Sequence, residues 1–311
     1  MVRQLVALTV ILALGGQRGR ALTASPAAAR SCATQEVEGR SGHAMAYDAD
    51  AGRVVMFGGG TDDPADPWPR SLWAWDGERW RCLSADGPPG RRDGELAYDA
   101  ARKRLVLYGG RVFGPDRQLR LMTDSWEWDG RRWALVDSVG PPARTHMGVA
   151  YDGPRPAGIT NALLGTPRGG GVLLVMALDD SAAECRGLQR ATLFDLRGDA
   201  WSRLTTRTPG PCFSPQGAAV ATPDGAMLYA GWDPGPASAA AWLWRPGAGP
   251  GAPGAWARTD SAPPRRRSAR MAWDAGRRRV VLFGGDTNEG VLADTWEWDG
   301  RRWTRADRPA N

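Results

Sequence analysis

Apolar and polar residues alternate along this chain in short bursts, and the bursts return in a fixed order. LWAWDGERW (72–80), SWEWDGRRW (125–133), AWLWRPGAG with Trp256 (241–256) and TWEWDGRRW (295–303) each place two tryptophans two residues apart, then a turn, then a third tryptophan. A spacing of two puts both indoles on one face of a strand. Asp76-Gly77, Asp129-Gly130 and Asp299-Gly300 suit a two-residue hairpin turn that needs positive φ. Each stretch therefore predicts a strand, a tight turn and a second strand. Twelve of the 16 tryptophans lie in these four copies, so the aromatic content is architectural first. The gap between the second and third copies is twice the usual one and holds a worn fifth, ATLFDLRGDAW (191–201), with Phe194 and Trp201 in the aromatic positions; the period is then about 53 to 58 residues.

Such self-similarity decides the fold before any local reading does. Most units share one internal order. A proline-arginine approach comes first: Pro88-Pro89-Gly90-Arg91, Pro141-Pro142-Ala143-Arg144, Pro263-Pro264-Arg265. A short strand follows, as HAMAYD (43–48), GELAYD (94–99), HMGVAYD (146–152) and ARMAWD (269–274). A charged turn leads to a strand ending in a glycine pair: RVVMFGG (53–59), RLVLYGG (104–110) and RVVLFGG (279–285). GVLLVMAL (171–178) and AMLYAGW (226–232) stand in for it in the third and fourth units. A variable loop and the tryptophan hairpin complete the unit. Four antiparallel strands repeated in this way predict an all-β, five-bladed β-propeller, because no single sheet can bury both of its faces alone. The expected blades are 40–87, 88–140, 141–208, 209–262 and 263–306. All five units run from first to fourth strand. The ring is therefore expected to close without a shared blade, with 33–39 available as an extra strand.

The order glycine-pair strand, spacer, aromatic strand, tight turn and tryptophan resembles the kelch motif, whose propellers are of the galactose oxidase central-domain type. The resemblance covers 40–306 and is most specific around Gly58-Gly59, Gly109-Gly110 and Gly284-Gly285. Five blades depart from the six or seven more common in that family.

Composition changes the picture in one respect, which is location. Arg3 followed by an apolar stretch over 5–14 reads as a secretory signal spanning 1–21, with small residues that place cleavage between Ala21 and about residue 31. The stretch is too short to span a bilayer. Ala29-Arg30-Ser31 ahead of Cys32 is a poor lipobox, so lipid anchoring is not expected and the chain reads as secreted or periplasmic. Loss of Arg3, Arg18 and Arg20 halves the net charge of +6, and no basic run is interleaved with stacking aromatics. Nucleic acid is not an expected partner. Four cysteines, Cys32, Cys82, Cys185 and Cys212, suit two disulfides in an oxidising compartment. Three connectivities exist; Cys32–Cys82 with Cys185–Cys212 closes the more local loops. No C-x-x-C spacing points to zinc.

Candidate chemistry concentrates on the rim opposite the tight turns, where the longer loops 61–70, 111–121, 177–190, 233–239 and 286–292 open. Arg40, Arg92, Arg144 and Arg267 recur just before the inner strands. A ring of guanidiniums can grip a carboxylate, sulfate or acidic sugar, or it can hold blade to blade. His43 and His146 fall at nearly equivalent strand entrances, where the resemblance implies a structural histidine; a pocket or metal role is the other reading. The resemblance to galactose oxidase does not extend to copper, since Tyr47, Tyr98 and Tyr151 share one repeat position and none has a cysteine partner. Asp124 and Asp294 are expected to satisfy turn backbones, with Glu127 and Glu297 between paired indoles. The acidic loop at Asp62, Asp63 and Asp66 reads as solvated, with calcium as its other reading. Trp68, outside the repeat, can stack on a sugar. No metal or cofactor is expected. The chain reads as a non-catalytic binding or scaffolding module for an extracellular or periplasmic protein or glycan. The alternative is a glycan-acting hydrolase or oxidase whose catalytic residues are not identified.

Overall fold

The computed structural model describes residues 32–99, 102–113, 118–137, 159–165, 171–177, 189–197, 200–203, 205–213, 217–231, 240–248 and 252–307. Their strands form five antiparallel sheets, a five-bladed β-propeller. The first blade is β1 (Ala44–Asp48), β2 (Arg53–Phe57), β3 (Leu72–Trp75) and β4 (Trp80–Ser84). The second is β5 (Glu95–Asp99), β6 (Arg104–Tyr108), β9 (Ser125–Trp128) and β10 (Trp133–Asp137), with a small hairpin, β7 (Arg111–Phe113) and β8 (Leu119–Leu121), set into its loop. The third is β11 (Ile159–Gly165), β12 (Gly171–Ala177), β13 (Gln189–Arg197) and β14 (Ala200–Arg203), extended by β15 (Cys212–Phe213) on β13. The fourth is β16 (Ala218–Thr222), β17 (Gly225–Tyr229), β18 (Ala241–Arg245) and β19 (Ala255–Arg258). The fifth is β20 (Arg270–Asp274), β21 (Arg279–Phe283), β22 (Thr295–Trp298) and β23 (Trp303–Arg305).

The apolar runs of the second strands explain the stacking. In β2, Val54 and Met56 face the fifth blade, against Ala272, Val281 and Phe283. Val55 and Phe57 face the second, against Leu96, Leu105 and Leu107. One strand thus serves two interfaces, which is why it carries no polar alternation. The indoles take one side only. Trp73, Trp75 and Trp80 of the first blade pack on the fifth. Trp128 and Trp133 of the second pack on the first, and Trp298 and Trp303 of the fifth pack on the fourth. The register pairs Trp75 with Trp80 and Trp128 with Trp133 directly across their hairpins.

The glycine pairs are where one blade seats on the next. Gly58 and Gly59 have φ of 71° and 93°, and the Gly59 amide donates to the Arg91 carbonyl of the second blade at 2.8 Å. Gly284 and Gly285 repeat this with the Arg40 carbonyl, at 2.7 Å from the Gly285 amide. A Cβ on Gly284 would lie 2.3 Å from that oxygen, a distance no side chain can accept.

That second clip also closes the ring, since it joins the fifth blade to the first. Trp75 Nε1 donates to Glu297 at 2.8 Å and Trp80 Nε1 donates to the Thr295 hydroxyl at 3.0 Å. Residues 36–40 add no strand; they run along this junction, and Val37 packs there beside Cys32. A Cys32–Cys82 disulfide fastens the segment to β4, and the Cys82 amide on that outer strand donates to Gln35 at 3.0 Å. Cys212 is disulfide-bonded as well; Cys185 lies outside the described residues.

The third blade corrects the reading of its first strand. β12 pairs over its whole length with β11, at 159–165, and not with 146–152, which lie outside the described residues. A seven-residue apolar strand needs a partner of equal length, and the Pro167-Arg168-Gly169-Gly170 sequence between the two is turn chemistry. Among the described residues, no helix is long and apolar enough to cross a membrane.

Candidate functional site

Four residues lead into the innermost strand of the first, second and fifth blades: Arg40-Ser41-Gly42-His43, Arg91-Arg92-Asp93-Gly94 and Arg266-Arg267-Ser268-Ala269. The geometry fixes this alignment. Arg40, Arg91 and Arg266 each donate to the carbonyl of the first glycine in their own blade's pair, at 3.3, 3.0 and 3.1 Å. The expected repeat of Arg40 with Arg92 and Arg267 is therefore one residue out of register, because consecutive arginines blur the sequence alignment.

The first arginine of each set is interior. Arg91 grips both oxygens of Asp124, at 2.6 and 2.9 Å, and its Nε donates to the Pro89 carbonyl. Arg266 does the same with Asp294 and Pro264. Trp126 and Trp296 donate their Nε1 to the same carboxylates. Asp124 and Asp294 thus anchor a buried arginine and an indole; they do not cap turn backbones as expected. Burial disfavours charge on both carboxyls, yet the arginine and indole donors hold them below the usual range. In the first blade Ser71 occupies the acid's place. Arg40 donates to its hydroxyl at 2.8 Å, lies 6.0 Å over the Trp73 ring and has its pKa lowered by burial to about 10. Arg40 is fully buried and offers nothing to a ligand.

The second position points the other way. Ser41, Arg92 and Arg267 bridge back to Gly60, Arg111 and Asp286, the residues that open the long loops. Arg92 reaches from the second blade across the first, its stem lying over Gly60 and its Nε close to Gly42. Asp286 accepts from Arg267 Nε at 3.0 Å. Arg92 makes its ion pair with the same Asp286 at 4.0 Å, and the Arg92 Nε has no partner among the described residues. Burial lowers the Arg92 pKa, with Asp93 and Asp286 acting against that.

The third position curves around the axis. The Asp93 amide donates to the Gly42 carbonyl at 2.7 Å, and the Gly42 amide donates to the Ser268 carbonyl at 2.8 Å. All three residues hold positive φ, near 54° to 65°, a region open to Gly and tolerated by Asp. The buried Asp93 carboxylate accepts from Arg111 Nε at 2.6 Å and from Arg270 at 3.3 Å. Arg270 belongs to the fifth blade, and its guanidinium reaches the second. Glu95 stands at the matching first position of β5. Desolvation raises its pKa to about 7, Arg270 opposing and Asp93 adding to the shift.

Ser41, Arg92 and the loops of the first and fifth blades border an open pocket of about 360 Å³ on the long-loop rim. Ser41, Thr61, Asp62, Trp68, Arg92 and Asp286 are in its wall. The Val291 amide donates to Asp62 at 2.8 Å, tying the loop of the first blade to that of the fifth across the pocket. Of the sequence candidates, the structure brings Arg92 and Trp68 together here, with Arg267 behind Asp286. His43 is fully buried and edge-on to Phe283 at 5.5 Å, and among the described residues neither ring nitrogen has a partner within hydrogen-bond geometry. Arg144 and His146 lie outside the described residues. Sequence reading passed over Asp286, Asp93, Glu95 and Arg270. Their signal is disagreement between repeats: Ala44, Glu95 and Arg270 share one position, as do Gly60, Arg111 and Asp286 after the three glycine pairs. Among the described residues, no group of three or more metal-ligating side chains exists.

Two titratable groups, the buried His43 and the half-buried Glu95, give opposite pH dependence. His43 is held well below its ordinary value, by burial first and then by Arg270, Arg40 and Arg92. Below pH 6.5 the unfolded chain takes up a proton there that the folded chain refuses, so stability is lost as the pH drops through that value. Glu95, raised to about 7, binds its proton more tightly when folded. Its contribution is full below the unfolded value near 4.5 and is lost as pH rises through 7. Glu95→Gln is therefore expected to reduce stability relative to wild type by on the order of 1–3 kcal/mol at pH 4.5 compared with pH 7.5. His43→Leu shifts the comparison the other way. Urea unfolding at the two pH values checks both, and parallel pH profiles for all three proteins would refute the assignment.

The chain matches no protein-family model, and no curated protein is significantly similar to it. In fold, 130 chains of solved structures match. One, titled "Structure of YjhT", is a propeller-type protein that aligns with a TM-score of 0.56 and 12% identity over 86% of this chain and 97% of its own. A likeness at that identity concerns the fold alone.

Proposed function

We propose that this chain is an exported, kelch-type propeller over 40–306 that binds a protein or carbohydrate through the pocket on its long-loop rim. One observation carries the reading: Trp68, which falls outside the repeat, and Arg92 line the same pocket of about 360 Å³. That volume lies at the small end of ligand pockets. Export to the secreted or periplasmic space, after removal of 1–21 or slightly more and without a lipid anchor, agrees with the disulfide-bonded Cys32, Cys82 and Cys212. The kelch assignment draws on the glycine pairs, whose positive φ and amide clips give that motif a physical purpose here.

A glycan-acting enzyme is the second reading. Glu95, with a pKa near 7 beside Arg270, has the poise of a general acid or base. Its nearest carboxylate, Asp93, is already held by Arg111 and Arg270, which leaves it a poor second acid or nucleophile. A glycan and protein array on the full exported chain tests both readings. Binding is expected to fall with Trp68→Ala at unchanged thermal stability and to leave the ligand chemically intact. Turnover that disappears with Glu95→Gln would replace the binding module with the enzyme.

A further inference from the structure

We propose that the segment 32–40 and its Cys32–Cys82 disulfide form a redox-operated latch on the seam between the first and fifth blades, and that this latch holds the wall of the long-loop pocket in place. The latch is a device separate from the binding reading above, and its test needs no ligand.

Among the described residues, no strand of the first blade pairs into the fifth. The segment 32–40 crosses that seam instead. It starts at the outer strand, where Cys32 is bonded to Cys82 of β4. Cys32 and Val37 then pack on the cluster that the two blades share, which includes Val281 and Phe283 of the fifth. At the rim the Arg40 amide donates to the Leu292 carbonyl at 3.1 Å. Gly39 lies so close to the same loop that an added Cβ would meet the Leu292 carbonyl at 2.9 Å and the Val291 side chain at 3.1 Å. Val291 and Ser41, the residue after Arg40, are both in the pocket wall, and the Val291 amide holds Asp62 across it at 2.8 Å. The backbone thus runs unbroken from the disulfide to the pocket.

The disulfide is what keeps this strap down. Residues 33–36 are exposed and 37–39 only half-buried, so little apolar burial holds them. A cross-link between residues 50 apart in sequence does so by removing the entropy of closing a long loop. The rest of the seam has its own fastenings in buried Trp75, Trp80 and Phe283 and in the indole bonds to Glu297 and Thr295. Loss of the disulfide therefore loosens the rim end and leaves the ring folded. Both cysteines are half-buried and on the outside of the first blade, within reach of a small thiol. The step is thiol–disulfide exchange. A thiolate of a dithiol attacks one protein sulfur and forms a mixed disulfide, and its second thiol then displaces that protein sulfur. The dithiol becomes its own disulfide, and its two electrons and two protons leave Cys32 and Cys82 as thiols. An oxidising compartment keeps the latch closed, and a dithiol opens it.

Hydrogen exchange of the full chain, oxidised and after dithiothreitol, tests the latch, with alkylation reporting that Cys32 and Cys82 are reduced. Reduction should speed exchange at the amides of Arg40, Val291 and Leu292 by at least about tenfold, while the amides of β21 and of β16–β18 keep their protection. Replacing both cysteines, Cys32→Ser with Cys82→Ser, leaves the disulfide at Cys212 in place. That variant should reproduce the pattern and show no further change at these amides with the dithiol. Gly39→Val lifts the strap off Leu292 with the cross-link still formed, and it should loosen the same amides. If the double serine variant does not fold, reduction of the folded wild type and Gly39→Val decide between them. Unchanged exchange at Arg40, Val291 and Leu292 after complete reduction would overturn the latch. Equal loss of protection around all five blades would also overturn it, by making the disulfide a general staple. So would loosening on reduction that Gly39→Val does not reproduce. Each of these failures leaves the binding reading standing, and an array without a ligand leaves the latch standing.

Discussion

Arg266→Ala should destabilise the propeller by about 3–5 kcal/mol, the cost of leaving a buried charge without its partner. Arg266 is 1% exposed and Asp294 13%. The substitution strips that carboxylate of two donors and also releases the Gly284 and Pro264 carbonyls. Arg91→Ala should match it, because Asp124, Gly109 and Pro89 repeat the set. Arg40→Ala should cost less, since its partner is the neutral Ser71 hydroxyl: roughly 1–3 kcal/mol for unsatisfied buried polar groups. Arg92→Gln, with one long ion pair, should stay within about 1 kcal/mol of wild type. The expected order in urea unfolding is Arg266 and Arg91, then Arg40, then Arg92. Equal losses at Arg92 and Arg266 would mean that the two positions do one job after all, and the separation of structural from ligand-facing arginines would fall.

That separation marks how far the sequence could be read. The strands were legible because two signals coincide, alternation in the hairpins and continuous apolar runs before the glycine pairs. β2, β6 and β21 begin where the RVV and RLV sequences begin. The indoles lie between blades as their spacing implies, and the long loops of the first and fifth blades border the pocket. The arginine register was not legible. RRD and RRRS place consecutive guanidiniums in successive positions, and only a three-dimensional partner separates Arg91 from Arg92. The partner itself was visible but misassigned: Asp124 and Asp294 sit two residues before an indole, where Ser71 sits in the first blade. The Asp-to-Ser change is the clue that this position talks to an arginine and not to a turn. The first strand of the third unit was lost for another reason. HMGVAYD matches the repeat better than ITNALLG does, yet strand pairing selects by length and turn chemistry as well as by motif.

The site was legible in part for a related reason. Repeats advertise what they share, and sharing in a propeller means packing. Chemistry collects where copies disagree at one position. Ala44, Glu95 and Arg270 occupy equivalent places at the head of three inner strands, with Ala218 in the fourth blade. Alanine there leaves room, and acid and base use it. Arg270 spans from the fifth blade to Asp93 of the second. Trp68 was found because it falls outside the repeat, and Arg92 because it was counted among residues it does not resemble structurally.

Trp80→Ala should cost about 3–5 kcal/mol, the range for removing a large buried aromatic, and the loss should be concentrated at one junction. Trp80 is 4% exposed and packs edge-on against Phe283 at 4.9 Å and beside Trp75 at 5.7 Å. It belongs to the first blade and Phe283 to the last, so its cavity opens at the seam that closes the ring. A conservative pair of variants isolates the polar part. Trp80→Phe loses the Nε1 bond to the Thr295 hydroxyl and strands that acceptor, worth about 1 kcal/mol beyond the packing change. Trp133→Phe, at the matching place in the second blade, loses no such bond, because its Nε1 has no partner among the described residues. The difference between the two Phe variants therefore reports the seam's hydrogen bond alone. Hydrogen exchange should show the amides of β1 and of β20–β22 opening first in Trp80→Ala, ahead of the fourth blade. Uniform loss of protection around all five blades would mean that the ring unfolds as one unit and that its covalent ends impose no weak point; protection lost first in the second blade would contradict the closure described above.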